Sequence, residues 1–295
     1  MTTLASDSHA GESEDLGKLA LDNGLHRVGT RPPIGSYLWQ TWVRRDFVAT
    51  MAMYRLRSQV EENRLGVVWF VLRPVLDAVI YGAIFGVLQG SSRPPDYVAY
   101  VVTGTFMFQF FRTCFQDGAK SIVESRTLVQ SLAFPRLTLP ISRVIEELVA
   151  LVPALILLPI ILMLFGHYPT PQWLLMIPLV ALYTLFNAGM AMVAARLTVH
   201  LTDLSQLIPY LTRILFYTSG VLFNIGTILD KPHLHWLMEL YNFHPIYHVI
   251  TIARGLMMGT PYPLHYWGAF AIWSVALFIV GLFFFWWAEE RYGTE

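Results

Sequence analysis

One cysteine in 295 residues excludes an intrachain disulfide and a thiolate metal site. That residue, Cys114, falls inside an apolar, aromatic run. Charge is equally scarce. Asp, Glu, Lys and Arg make up 14% of the chain, against about 25% in a soluble globular domain, so most of the surface does not meet water. The formal net charge is zero, and no nucleic-acid partner follows from it. No G-x-x-x-x-G-K-[ST] occurs, so the chain has no loop to cradle ATP phosphates and no nucleotide cofactor of its own. No apolar run precedes about residue 36, and no cleavable signal peptide is expected. Most carboxylates lie in the first residues or between apolar runs, with no pair placed for acid–base chemistry, so a catalytic role is not expected.

Apolar length is what the chain has. Hydrophobic residues make up 55% of it. Six runs, 65–88, 98–118, 144–165, 173–194, 207–229 and 267–287, are long enough for a hydrocarbon core that takes about 20 residues. The fold expected is all-α: a polytopic membrane protein of six transmembrane helices, occupying 65–290. Interior prolines (Pro74, Pro153, Pro159, Pro178, Pro209) are tolerable there, because bundle neighbours can satisfy the freed carbonyls. Residues 1–33 are polar, acidic in their first half and without aromatics, and read as a disordered tail. An amphipathic interface segment follows over 34–64, its helix at 36–57, with Trp39, Val43, Phe47, Met51 and Tyr54 in helical steps. Arg44 and Arg55 edge that stripe, and with Arg45 they suit a helix lying on the membrane, its arginines toward anionic headgroups.

Fourteen Lys and Arg residues fall on one side of the expected spans and three (Arg93, Lys231, Arg254) on the other. The positive-inside rule then places both termini in the cytoplasm, as an even number of spans requires. The connection 119–143 can hold a short helix across the cytoplasmic face. The outer segment 230–266 is semi-apolar and suits a re-entrant or interfacial helical pair.

Three ordered features go further: the junction RRDFVATMAMYRLRSQVEENRLGVVWFVLRPVL (44–76); LVQSLAFPRLTLPISR (128–143), with Phe134-Pro135-Arg136; and LTDLSQLIPYLTRILFYTSGVLF (201–223), followed by His244-Pro245 and Arg254-Gly255-Leu256. Together they resemble the ABC-2 type permeases that export bacterial O-antigen, capsular polysaccharide and teichoic acid, over about residues 36–290. The acidic tail and aromatic-rich spans are similar to galactan exporters within that group. The sequence departs from the family at Phe243-His244-Pro245, where an Asn-Pro pair is common.

The resemblance implies a multi-pass protein of the bacterial plasma membrane, a second copy of the chain, two copies of a nucleotide-binding ATPase subunit carrying ATP and Mg, and a lipid-linked glycan as cargo. It places a coupling helix for the ATPase around 121–133. Ser125, Arg126, Leu128, Phe134, Pro135 and Arg136 are the residues involved, and the interface helix (Trp39, Arg44, Arg45, Phe47, Arg55) makes a second contact. First and fifth spans face the pathway in that family, which implicates Trp69, Tyr81, Phe85, Tyr210, Phe216, Tyr217 and Asn224. These aromatics also suit ordinary bundle packing and interfacial belts. Arg73 and Asp77 stand four apart on one helix face, either as an internal pair or in the pathway. Arg213 has no local acid, so its partner is another helix, another protomer or an anionic cargo group. His244, Pro245 and Arg254 mark an outer gate. The spacings of His233 and His235 and of His244 and His248 could ligate zinc, but interfacial hydrogen bonding suits these histidines better and no metal is expected. A drug or small-lipid permease of the same type and a membrane-embedded glycosyltransferase or ligase remain as alternatives.

Overall fold

The computed structural model describes residues 32–62, 64–90, 94, 96–132, 134–226 and 235–289. All regular structure among them is helical: α1 (Ile34–Val43), α2 (Arg45–Glu61), α3 (Val68–Gln89), α4 (Tyr97–Lys120), α5 (Arg126–Ser131), α6 (Thr138–Leu164), α7 (Met176–His200, entered through a 3-10 turn Pro171–Leu175), α8 (Leu204–Thr218), α9 (His235–Tyr241), α10 (Pro245–Met258) and α11 (His265–Trp287). The tail 1–31 lies outside the described residues.

Among the described residues, four helices are long and apolar enough to cross a membrane: α3, α6, α7 with its entry turn, and α11. The protein is thus a polytopic, all-helical membrane protein. The expected second run is α4, whose 24 residues extend about 36 Å. It is the hub, with α3, α6, α7, α8 and α10 around it. Its neighbours explain how it carries Arg112 and Gln116: those groups bond to Asp77 of α3 and Thr212 of α8.

The fifth run is shorter than expected. Its helix ends at Thr218 instead of continuing to 229, and 15 residues reach about 22 Å, less than the roughly 30 Å of a hydrocarbon core. Gly220, at φ +70°, turns the chain into an irregular stretch where the apolar Val221, Leu222 and Phe223 continue the hydropathy signal without the helix. The interface segment also differs from the single helix expected at 36–57. It is two helices meeting at Arg44, and the face packed inward is Val48, Ala52 and Leu56.

Lipid tails are as apolar as leucine, so helices in a bilayer associate through close packing and hydrogen bonds more than through a hydrophobic drive. The broadest interface, α7 against α11, shows this. A Cβ on Gly281 would stand 2.6 Å from the Gly189 carbonyl oxygen, and one on Gly189 would stand 2.6 Å from the Leu277 backbone. Only glycine permits that approach. A separate apolar cluster at the basic end joins α1, α6, α7 and α11 through Tyr37, Leu139, Met192 and Phe285.

Candidate functional site: an aromatic face and a clamped basic end

The α3–α8 flank is the least covered part of the bundle. Within α3 only Pro74 and Ala78 are buried, and within α8 only Ile208, Thr212 and Phe216. Side chains between the two helices form a run of rings. Tyr81 stands 5.0 Å from Phe216, and Phe85 stands 6.4 Å from Tyr217 and 5.3 Å from Phe223. Phe216 is buried and passes the run inward to Phe108 of α4 at 5.1 Å, so it packs rather than lines a surface. Tyr217 and Tyr210 are exposed. Gln116 of α4 donates to Thr212 at 2.9 Å, tying α8 to the hub.

Charge collects beside these rings. Arg112 of α4 pairs with Asp77 at 3.5 Å, both about a third exposed. The partner of Asp77 is therefore across the helix interface and not Arg73, four residues back. Arg73 lies 5.7 Å over the ring of Trp69 instead. Arg213 is exposed and makes no ion pair with a described residue. Asp77, Arg112, Arg213 and Tyr217 all act electrostatically on the Tyr81 hydroxyl, which places them around one point of the face.

Of the ten residues expected along the pathway, Asp77, Tyr81, Phe85, Arg213, Phe216 and Tyr217 come together. Trp69 and Arg73 line a separate cavity of about 210 Å3 between α2, α3, α4 and α6. Asn224 caps a turn, accepting from the Gly226 N–H at 3.1 Å. Tyr210 stands apart. The cavity shows something the sequence did not: Asp117 of α4 and Glu147 of α6, on different helices, line it together beside Thr113.

At the basic end the expected coupling segment is α5 with the turn after it. Arg55 of α2 donates to Ser125 at 3.0 Å and to Ser142 at 3.4 Å. Gln59 donates to Glu146 at 2.9 Å, and Arg143 pairs with Glu146 at 3.2 Å and with Glu124. Phe134 packs on Phe47 at 5.5 Å, Leu128 joins the basic-end cluster, and the Pro135 carbonyl accepts from the Thr138 N–H at 3.1 Å, starting α6. Arg126, Trp39 and Arg45 lie on the exposed surface, and Arg44 marks the α1–α2 break.

Glu289, just past α11, joins these parts, and nothing in its sequence context marks it. Its carboxylate accepts from the Tyr37 hydroxyl at 2.7 Å and from the Arg136 N–H at 3.1 Å, while the Arg136 guanidinium donates to the Glu289 carbonyl. Tyr37 in turn accepts from the Leu137 N–H at 3.1 Å. One acid thus clamps α1, the coupling turn and the end of α11. Tyr37→Phe strands the Leu137 N–H and one carboxylate oxygen, and is expected to cost about 1–3 kcal/mol, read as a lowered Tm in detergent.

Burial raises the Glu289 pKa, against the bonds from Tyr37 and Arg136 that hold it down. An acid raised in the folded state contributes stability fully below its unfolded value near 4.5, and that contribution is lost as pH rises through the folded value. Glu289→Gln should therefore flatten the fall of Tm as pH rises above about 4.5; a parallel fall would exclude Glu289 as its source.

At the opposite end, His244 and Pro245 start α10: Pro245 takes the first turn, and His244 Nδ1 accepts from the Tyr247 N–H at 3.1 Å. Buried His248 stacks on Tyr266 at 4.5 Å, and burial, then the neighbouring His244, lower its pKa to about 4. Arg254 does not stand free at an opening. It is buried, 3.3 Å over the Tyr100 ring, and donates to the carbonyls of Tyr100 (3.1 Å), Gly220 (2.7 Å) and Val221 (2.7 Å).

A family model described as ABC-2 type transporter matches residues 47–258. Among curated relatives, the O-antigen export system permease protein RfbA of Klebsiella pneumoniae is 24% identical over 241 residues, 81% of this chain and 91% of that protein. The protein of that name from Myxococcus xanthus is 27% identical over 187 residues, 63% and 72% of the respective lengths. The polysialic acid transport protein KpsM of Escherichia coli is 23% identical over 218 residues, 73% and 83%.

Proposed function

This chain belongs to the ABC-2 type transporter family, and on that premise we propose that it is the permease subunit of a polysaccharide exporter that moves a lipid-linked glycan out of the cytoplasm. A separate ATPase subunit supplies the energy, in two copies, and a second copy of this chain completes the pathway. Both termini face the cytoplasm of a bacterial plasma membrane, as the excess of basic residues at the α1–α2 end favours.

The observation that carries this reading is the α3–α8 face, which combines tilted and edge-on aromatic rings, an exposed arginine and an Asp77–Arg112 pair on a flank that its own bundle leaves open. Sugar rings stack on aromatic faces, their hydroxyls bond to such polar groups, and an arginine fork suits the diphosphate of a lipid anchor. A second copy set against this flank encloses a passage lined from both sides. The clamp is the matching input. A push from an ATPase on α5 reaches α6 through Pro135 and Arg136 and reaches α1 and α11 through Glu289.

Arg213→Ala tests the face. Glycan export should fall about tenfold or more, the loss of one charged hydrogen bond, with dimer and ATPase association unchanged. Dimer loss would make Arg213 a structural residue. The double variant Phe134→Ala, Arg136→Ala tests the input: the complex should hydrolyse ATP yet display little glycan, and parental display would remove the coupling role.

A further inference from the structure

A groove of about 690 Å3 runs between the α1–α2 segment and the flank of the bundle, away from the α3–α8 face. Its floor is apolar, with Ile141 and Ile145 one turn apart on α6, Phe278 and Leu282 one turn apart on α11, and Ala188 of α7. Its rim is Trp39, Trp42 and Arg45. We infer that this groove is a binding site for an anionic phospholipid of the surrounding bilayer, with an acyl chain along the floor and the phosphate at Arg45.

Depth supports the tail assignment. Ala188 lies twelve residues before His200, the last residue of α7, which is about 18 Å along a helix axis. Half of a hydrocarbon core is about 15 Å. The floor thus reaches from the interface to about the midplane, the length of one leaflet. An apolar trough of that depth inside a bilayer takes up a chain.

The rim supplies the preference for charge. Trp39 and Trp42 are 67% and 63% exposed beside a groove opening on lipid, the place where tryptophan meets headgroups. The Arg45 side chain is 61% exposed, lies 5.7 Å over the Trp42 ring, and meets one carboxylate, Asp46, at 4.0 Å. Asp46 is itself 92% exposed and turned to solvent, so the guanidinium keeps donors for a phosphate. A zwitterionic headgroup adds a cation beside Arg45, whereas an anionic one does not. The inference rests on membrane embedding alone and stands whatever the protein carries.

Native mass spectrometry of the full chain in detergent, with dioleoyl phosphatidylglycerol and dioleoyl phosphatidylcholine in competition, tests it. The parent should retain phosphatidylglycerol about fivefold over phosphatidylcholine, the effect of one basic group at a membrane surface. Arg45→Gln should bring that ratio to about one. Gly35→Leu, at a position on the groove where an added Cβ meets nothing within 4 Å, should fold and lose both lipids. Equal retention of the two lipids by the parent, or a preference that survives Arg45→Gln, would overturn the inference. So would retention of undecaprenyl phosphate where phosphatidylglycerol is not retained, since the groove would then belong to a glycan's anchor.

Discussion

Arg254→Met should yield a protein that aggregates on extraction instead of running as a single peak. The reason lies in the irregular stretch after α8. Non-helical backbone survives at membrane depth only when other protein groups satisfy it, and here a relay of side chains does so. The Gly220 carbonyl accepts from Arg254, and the Val221 carbonyl from Arg254 alone among the bonds described. The Leu222 carbonyl accepts from Tyr97 (3.1 Å) and Gln89 (3.0 Å), and the Phe223 carbonyl from Tyr100 (2.9 Å). Methionine keeps the volume and removes every donor from the centre of this relay. Each stranded group costs about 1–3 kcal/mol, so with the Gly220 and Val221 carbonyls both stranded a loss of about 2–6 kcal/mol is expected, approaching a whole domain's stability. Lysine is no substitute, because a point charge cannot span three carbonyls as a planar fork does. Gel filtration in detergent and a thermal scan decide the matter. A parental Tm for Arg254→Met would mean the relay does not hold the stretch.

Gly281→Leu should be as damaging, for a different reason. An added Cβ meets the Gly189 carbonyl oxygen at 2.6 Å, a backbone atom that cannot rotate aside. Helices α7 and α11 must separate along their broadest contact, and no hydrophobic drive in lipid restores what dispersion loses. Overpacking costs about 1–3 kcal/mol even where side chains yield, so Gly281→Ala should retain folded protein at a lower Tm and Gly281→Leu should retain almost none. Equal recovery of both would show that the helices lie farther apart than described.

Architecture was legible in the sequence wherever one helix faced lipid. Long apolar runs at α3, α6, α7 and α11 announce themselves, because their outer faces must match hydrocarbon. The run at α8 misled for the same reason: Val221, Leu222 and Phe223 are as apolar as a span, but Tyr97, Tyr100, Gln89 and Arg254 stabilise another backbone there, from positions more than a hundred residues away in the first three cases. Aromatics on α3 and α8 could be named in advance, whereas the partner of Asp77 could not, since Arg73 is the near choice in sequence and Arg112 the near choice in space. Glu289 carried no local signal at all. Its function exists only because Tyr37 and Arg136 arrive beside it.

That carboxylate makes the first and last described helices neighbours in force as well as in space. Tension applied at either one passes to the other through Tyr37, Glu289 and Arg136, and the indole of Trp286, donating to the Pro32 carbonyl at 2.9 Å, adds a second loop to the circuit. A tag or truncation that displaces Glu289 therefore opens this circuit at both helices, and a permuted chain joined across these two segments keeps it closed.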